Sequence, residues 1–372
     1  MPRPRIVIGV DIGGTKIKVA AVELASEGAD HRLLIADEVP TPRTTPPVFY
    51  DRVAELIRAV RASAQEAGHD IQPVVSIAHP GRFLPDGTLA RATTPNIGTV
   101  PGQFDGLNPA AELRRRLHLE VLAENDAISQ MRYGLAALLR DPSTRPHLLG
   151  ETVVYLGPGT GMGGGVARIS RGGTVTPVTD GHLFDMQVPG IGDGTLTAEE
   201  VFTGPAIARR VATANEMLSP PIEPARGGRL DEILCGAAAP ASHRQVAERI
   251  ADEYGDVLAA IIHALHQGQV AKVRLETPSD GRVLRHVDEP DRAWSQADRA
   301  LVRGAKRFLF GGFVGSSRGL GVRVRHRALE RLAEQGLADI RIVAVPATSG
   351  DAGVLGAACA AAERGLPVTG AA

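Results

Sequence analysis

Residues 6 to 20 read Ile-Val-Ile-Gly-Val-Asp-Ile-Gly-Gly-Thr-Lys-Ile-Lys-Val-Ala, and this stretch constrains the fold more than any other. Ile6, Val7, Ile8 and Val10 form a β-branched apolar run with the composition of a buried strand. Asp11 ends the run, Gly13 and Gly14 supply a turn without side chains, and Ile17, Val19 and Ala20 resume a strand. The hairpin tip therefore gathers a carboxylate, two glycines, the Thr15 hydroxyl and the Lys16 ammonium. These parts suit a nucleotide's phosphates and its magnesium. Bare N–H groups can approach phosphate oxygens, Lys16 can neutralise charge, and Asp11 can hold Mg²⁺ directly or through water. An ordinary hairpin turn also uses Gly-Gly. Two other phosphate motifs are excluded. A Walker loop ends in Gly-Lys-Ser/Thr and opens a helix, whereas Gly14-Thr15-Lys16 has the reverse order and opens a strand. A dinucleotide fingerprint needs three glycines before a helix.

The 372 residues suffice for two domains and a large core, and 43% hydrophobic content is ordinary for a globular chain. A net charge of −1 shows no electrostatic footprint for nucleic acid or an anionic membrane. No apolar run approaches the roughly 18 residues of a membrane span. The N-terminus enters a strand almost at once, so no signal peptide is expected. Cys235 and Cys359 are too few for a disulfide scaffold or a cysteine-rich zinc site. A cytoplasmic, reduced setting is the expectation. Only Lys16, Lys18, Lys272 and Lys306 are lysines, which makes Lys16 less like filler.

Along the chain, residues 31 to 39 read as a third strand, and Val53, Leu56, Ile57, Val60 and Ala64 have helical spacing. Val74–Ala78 reads as a strand ending at Pro80-Gly81, and residues 82–109 as mostly loop. Strands are expected at Glu120–Ala123, Thr152–Leu156, Val166–Ile169, Phe308–Phe310 and Ile340–Val345. Helices are expected after Asp126, at about 199–217 and 244–266, at Arg325–Glu334 and at Asp351–Glu363. The openings near residues 6 and 152 share a plan: apolar strand, glycine tip, second strand. That hints at an internal duplication into two similar lobes. The expected domains are 1–123, completed by the C-terminal helix at about 351–372, and 124–350. Stretches 218–243 and 267–305 are polar and weakly periodic and read as surface loops or insertions.

The second glycine loop runs from Gly157 to Gly165, and Gly159 to Gly164 matches Gly-x-Gly-x-x-Gly. A strand-like run follows it, not a helix start, so a dinucleotide reading is refused. Read as a second phosphate-cradling hairpin, with Gly159, Thr160, Gly161 and Gly163, it pairs with the first. Glu124-Asn125-Asp126 lies between a strand and a helix. Asn and Asp are favoured helix N-caps. A carboxylate there can also accept the proton of a substrate hydroxyl attacking a γ-phosphate. The two readings are compatible if Asn125 caps while Asp126 faces the site. Gly311-Gly312 can bring backbone close to an adenine or ribose, and a tight turn explains it equally. His182, beside Asp180, is a single histidine in a loop.

In this order the segments resemble the ROK family of sugar kinases and repressors, within the actin/hexokinase-like ATPase superfamily. Asp11-Ile-Gly-Gly-Thr-Lys resembles the first phosphate motif, Gly159-Thr-Gly-Met-Gly-Gly-Gly the second, and Phe310-Gly311-Gly312 the adenosine motif. Pro80-Gly81 and Pro95-Asn96 resemble the sugar-contacting loops. Glu124-Asn125-Asp126-Ala127 resembles the catalytic segment, with Asp126 as general base. The fold implied is α/β, a two-lobed actin/hexokinase-like (ribonuclease H-like) architecture with a central cleft. The implied cofactors are ATP and Mg²⁺, the latter on Asp11, and a homodimer is the implied assembly.

The departures from the family bear on substrate. Members usually carry Gly-Glu-x-Gly-His; here Val178-Thr179-Asp180-Gly181-His182 keeps the histidine and has Thr179 at the glutamate position. Members also carry a cysteine run for structural zinc. Residues 185–200 contain no cysteine, so no zinc site is expected. Glu199 sits where a substrate-contacting glutamate would fall. Gly81, Asn96, Asn125, Asp126, Asp180, His182 and Glu199 are thus the expected substrate contacts. Only five residues precede the first apolar run at Ile6, so the repressor architecture is not expected. The resulting expectation is an ATP-dependent kinase of a primary hydroxyl on a hexose-like, polyhydroxylated small molecule, acting on neither nucleic acid nor membrane. The alternatives are a valiolone-type C7-cyclitol 7-kinase of an aminocyclitol pathway and a non-catalytic sugar sensor on the same fold.

Overall fold

The computed structural model describes residues 5–24, 31–91, 93–94, 96–100, 102–179, 183, 185–192, 194–223, 227–276, 284–288, 296–346 and 350–363. The chain divides into two compact units, Met1–Arg145 with Thr348–Ala372, and Pro146–Ala347.

The first unit opens with β1 (Arg5–Ile12), β2 (Lys16–Leu24), β3 (Arg32–Pro40), α1 (Pro46–Glu66) and β4 (Ile71–His79). It continues with α2 (Pro109–Leu117), β5 (Glu120–Asn125) and α3 (Asp126–Arg140). The sheet order is β3-β2-β1-β4-β5, antiparallel through β1 and parallel beyond it. β1 is central and apolar on both faces, as a strand covered on two sides must be. Phe49, Tyr50, Val53, Ile57 and Val60 of α1 bury against one face, with Phe104 edge-on to both aromatic rings.

The second unit contains β6 (Thr152–Pro158), β7 (Met162–Ile169), β8 (Val175–Thr179), α4 (Ala198–Val201), α5 (Gly204–Asn215), α6 (Gly228–Leu234) and α7 (Ala241–Gln267). After these come β9 (Lys272–Glu276), β10 (Leu284–Asp288), α8 (Gln296–Val302), β11 (Arg307–Phe310), α9 (Gly312–Ser316), α10 (Leu320–Glu334) and β12 (Arg341–Ala344). Its sheet, β12-β11-β6-β7-β8, repeats the plan of the first: an antiparallel three-strand meander, then two parallel strands beside its first strand. The core is built on α7, where Tyr254 stacks on Phe202 and Phe202 on Phe310.

The chain then returns to the first unit as α11 (Ala352–Glu363), whose Val354, Leu355, Ala358 and Ala361 cover the second face of the sheet. A Cβ at Gly9 would lie 2.5 Å from the Val354 carbonyl oxygen, so β1 carries glycine where this helix crosses.

Several expectations need correction. The helix expected over 199–217 is two helices, because Thr203-Gly204-Pro205 restarts it with proline in the first turn. The stretch 218–243 is not all surface loop: α6 buries Leu230 and Ile233. The stretch 267–305 holds the β9–β10 hairpin and α8, with Val302 buried. The division after Arg145 differs from the expected one at 123/124, because α3 packs on α11 and stays with the first unit. Among the described residues no helix is long and apolar enough to cross a membrane.

Candidate active site

In the first unit the hairpin tip is closed by its own backbone. The Gly13 N–H donates to the Lys16 carbonyl at 2.9 Å, so this amide is not the bare donor expected from the sequence. Thr41 braces the turn from outside: its hydroxyl donates to the Gly13 carbonyl at 2.6 Å and its N–H to the Thr15 carbonyl at 3.0 Å. A Cβ at Gly14 would lie 2.8 Å from Asn96 Cβ, so this glycine admits the Asn96 loop to the tip. Lys16 pairs with Glu38 at 2.8 Å, both half exposed, a contact worth little in stability and easily exchanged for another anion.

Parallel pairing of β1, β4 and β5 aligns their carboxyl ends, where α/β sheets bind ligands. Asp11 is the penultimate residue of β1, His79 ends β4 with Pro80-Gly81 after it, and Asn125-Asp126 ends β5 and starts α3. Asn125 is the N-cap: its Oδ1 accepts the Ala127 N–H at 2.9 Å and the Ile128 N–H at 3.4 Å. Its Nδ2 donates to the Gly81 carbonyl at 2.9 Å. Asp126 Oδ1 accepts from Ala127 N–H at 2.9 Å. Glu124 turns away to Arg132 at 2.8 Å and accepts from the Ser129 hydroxyl, a structural ion pair.

Loss of hydration raises the Asp126 carboxyl to about 6, partly offset by the helix N–H groups and Asn125. Asp11 rises to about 7, first through burial and then through the charge of Asp126, with Lys16 and Lys18 opposing. Two dehydrated carboxylates that repel one another fit a divalent cation, since oxygen ligands of this kind are what Mg²⁺ takes.

The sequence reading missed the support behind Asp11. The Gly353 backbone packs on the Asp11 carboxyl so closely that a Cβ there would overlap it. Lys18 forms a largely buried ion pair with Asp351. Gly350-Asp351-Ala352-Gly353 opens α11 with the glycine and aspartate punctuation of the two hairpin tips, a signal that was available.

In the second unit only Gly159, Thr160 and Gly161 form the tip; Gly163 lies in β7 opposite Gly157. The Gly159 N–H donates to the Gly161 carbonyl, and the Gly159 carbonyl accepts from Gly204 N–H, both at 2.8 Å. Glu199 reaches this loop: its Oε2 accepts the Met162 N–H at 3.3 Å and would lie 3.1 Å from a Cβ on Gly161. Burial holds the Glu199 carboxyl above the usual range, with Asp185 and Glu200 adding to it. Gly311 and Gly312 also gather here. A Cβ on Gly311 would meet the Tyr155 ring at 2.5 Å, and Gly312, at φ +64°, packs on the Pro158 carbonyl. These contacts account for both glycines as a tight turn. Asp180 and His182 lie outside the described residues.

A family model described as "ROK family" matches residues 7–265, most of the chain. The chain belongs to the ROK family. This ROK chain is 32% identical over 182 residues to an N-acetyl-D-glucosamine kinase of Salmonella paratyphi C, covering 49% of this chain and 52% of that protein. The chain thus spans about half the length of the curated relatives it matches. A ROK family glucokinase from Streptomyces griseus, solved with glucose and AMPPNP, superposes with a TM-score of 0.61 at 20% identity over 95% of this chain and 98% of that one. A ROK family transcriptional regulator, a homolog of the E. coli MLC protein, gives 0.65 at 13% identity over 98% and 80%. These likenesses show a ROK and hexokinase-like fold, one shared by kinases and a regulator, so the chemistry rests on the residues themselves.

Proposed function

We propose that this ROK protein is an ATP-dependent kinase that phosphorylates a primary hydroxyl of a hexose-like molecule. The observation that carries the reading is Asp126, a carboxyl near pKa 6 at the start of α3, beside Asp11. Asp126 accepts the hydroxyl proton as that oxygen bonds to the γ-phosphorus, and the bond to the β-phosphate oxygen breaks to release ADP. Mg²⁺, when bound, neutralises phosphate charge, and Asp11 is the residue that would hold it. Gly14, Thr15, Lys16 and the Gly159–Gly161 tip would approach the phosphates, Gly311-Gly312 the nucleoside, and Gly81, Asn96, Asn125 and Glu199 the acceptor.

The resemblance to N-acetyl-D-glucosamine kinases supports a sugar acceptor. Thr179, in place of a glutamate that would pair with ring hydroxyls, favours a different pattern of hydroxyls and keeps a C7-cyclitol in view. Turnover measured across glucose, other hexoses, N-acyl sugars and valiolone-type cyclitols separates these, and glucose as best substrate removes the cyclitol. Asp126→Asn is expected to abolish phosphorylation while circular dichroism shows the fold intact. Near-normal turnover in that variant defeats the assignment. Tight sugar binding without ATP consumption on any acceptor would make the protein a sensor.

A further inference from the structure

His79 is fully buried at the end of β4, outside every role given above. Its Nδ1 lies 2.6 Å from the Pro80 carbonyl oxygen and its Nε2 3.1 Å from the Tyr50 hydroxyl. A carbonyl only accepts, so Nδ1 carries the proton and Nε2 accepts from Tyr50. Both ring nitrogens are satisfied by the neutral tautomer, and burial holds the imidazole down to about 4. The Tyr50 ring is itself locked by Phe49, Phe104 and the Arg116 guanidinium.

The other side of the same loop touches the site. Pinning the Pro80 carbonyl fixes the plane of the Pro80–Gly81 peptide. Gly81 then stands at φ +101°, a conformation glycine tolerates, with Thr94 so near that a Cβ would meet its methyl at 2.6 Å. The Gly81 carbonyl receives Asn125 Nδ2 at 2.9 Å, and the opposite end of that amide caps α3 at Ala127 and Ile128. Asp126 shares that cap, since its Oδ1 accepts the same Ala127 N–H at 2.9 Å.

We propose that His79 is a positioning residue: with Tyr50 it sets the pose of Pro80-Gly81, and through Asn125 it fixes the orientation of Asp126. The proposal rests on Asp126 as the base, but the placement of Asn125 is measurable without turnover. His79 is the point in the relay where one side-chain hydrogen bond can be removed at a time. A misplacement of reacting groups by about 1 Å can cost up to 10²-fold in rate.

The asparagine and glutamine amides separate the two nitrogens. The amide nitrogen of His79→Asn falls near Nδ1 and keeps the Pro80 contact. That of His79→Gln falls near Nε2 and keeps only the Tyr50 side. His79→Gln is expected to lower kcat roughly 10-fold with KM for ATP unchanged, and His79→Asn to restore most of that loss. Tyr50→Phe should behave as His79→Asn. Hydrogen exchange at the Ala127 and Ile128 amides should quicken in His79→Gln relative to Leu135, and not in His79→Asn. Equal kcat and equal exchange in the two variants would overturn the proposal. If the exchange contrast appears while Asp126→Asn stays active, the role of Asp126 as base fails and the positioning of Asn125 stands.

Discussion

Asp11 and Asp126 are held at the carboxyl ends of their strands against their own preference for water, and that preference is measurable. Asp126 must be ionised to accept a proton, so kcat should fall below about pH 6 with a slope of one proton. An acid limb near pH 4 would show an unperturbed carboxyl. Stability runs the opposite way. Asp11 has a folded pKa raised from 3.8 to about 7, so protonation favours the folded state. That contribution is full below about pH 4 and is lost as pH rises through 7. Metal-free wild type should therefore lose stability across that window relative to Asp11→Asn, by roughly 4 kcal/mol at most, and Mg²⁺ should raise the melting midpoint of wild type alone. A wild type and variant with parallel pH profiles would contradict the burial argument. The Asn125 cap and the place of Asp126 just after it were readable in the sequence because cap residues stand between a strand and a helical pattern there. Gly353 and Asp351 show there only as glycine and aspartate punctuation, because their partners Asp11 and Lys18 lie more than three hundred residues away and no local pattern records the contact itself.

Elements follow the same division between local and distant causes. Both glycine-tipped hairpins were legible because alternation and turn chemistry are local. β8 and α6 were not, since five and seven residues give too little periodicity. The contact of α3 with α11 shows which effect wins when local and tertiary preferences disagree. Gly356 lies mid-helix, where alanine is preferred by about 1 kcal/mol. A Cβ at Gly356 would overlap the Ser129 carbonyl, which is backbone and cannot swing aside. Gly356→Ala is therefore expected to destabilise by about 3 kcal/mol, read as a lower denaturant midpoint at unchanged slope. A midpoint that rises instead would mean that helix propensity outweighs packing there.

At the scale of the molecule, two sheets share one topology, and among the described residues the first is the one that α11 covers. The shared plan was visible as two strand–glycine–strand openings in the sequence; the sequence reading also assigns the helix at about 351–372 to the first domain, which some two hundred residues of the second unit interrupt. The interruption has an energetic consequence. Val7, Ala20, Val22, Val74 and Leu122 face α11, and without it this sheet face keeps only the cover of Tyr133 from α3 and loses most of its burial. Burying such side chains contributes about 25 cal/mol for each Å² removed from water, and net domain stabilities are only about 5–15 kcal/mol. A chain ended after Val345 should thus lose the cooperative fold of its first unit and keep that of the second, whose own core on α7 involves, among the described residues, none beyond 345. Hydrogen exchange read by peptide tests this: amides of β1 and β4 should lose protection, and amides of β6, β7 and α7 should keep it. Protection retained in β1 would show that α1 alone holds the sheet. Loss in both units together would show one cooperative fold rather than two. Because long-range closure is slow, refolding of the full chain should also recover β6–β7 protection before β1–β4 protection.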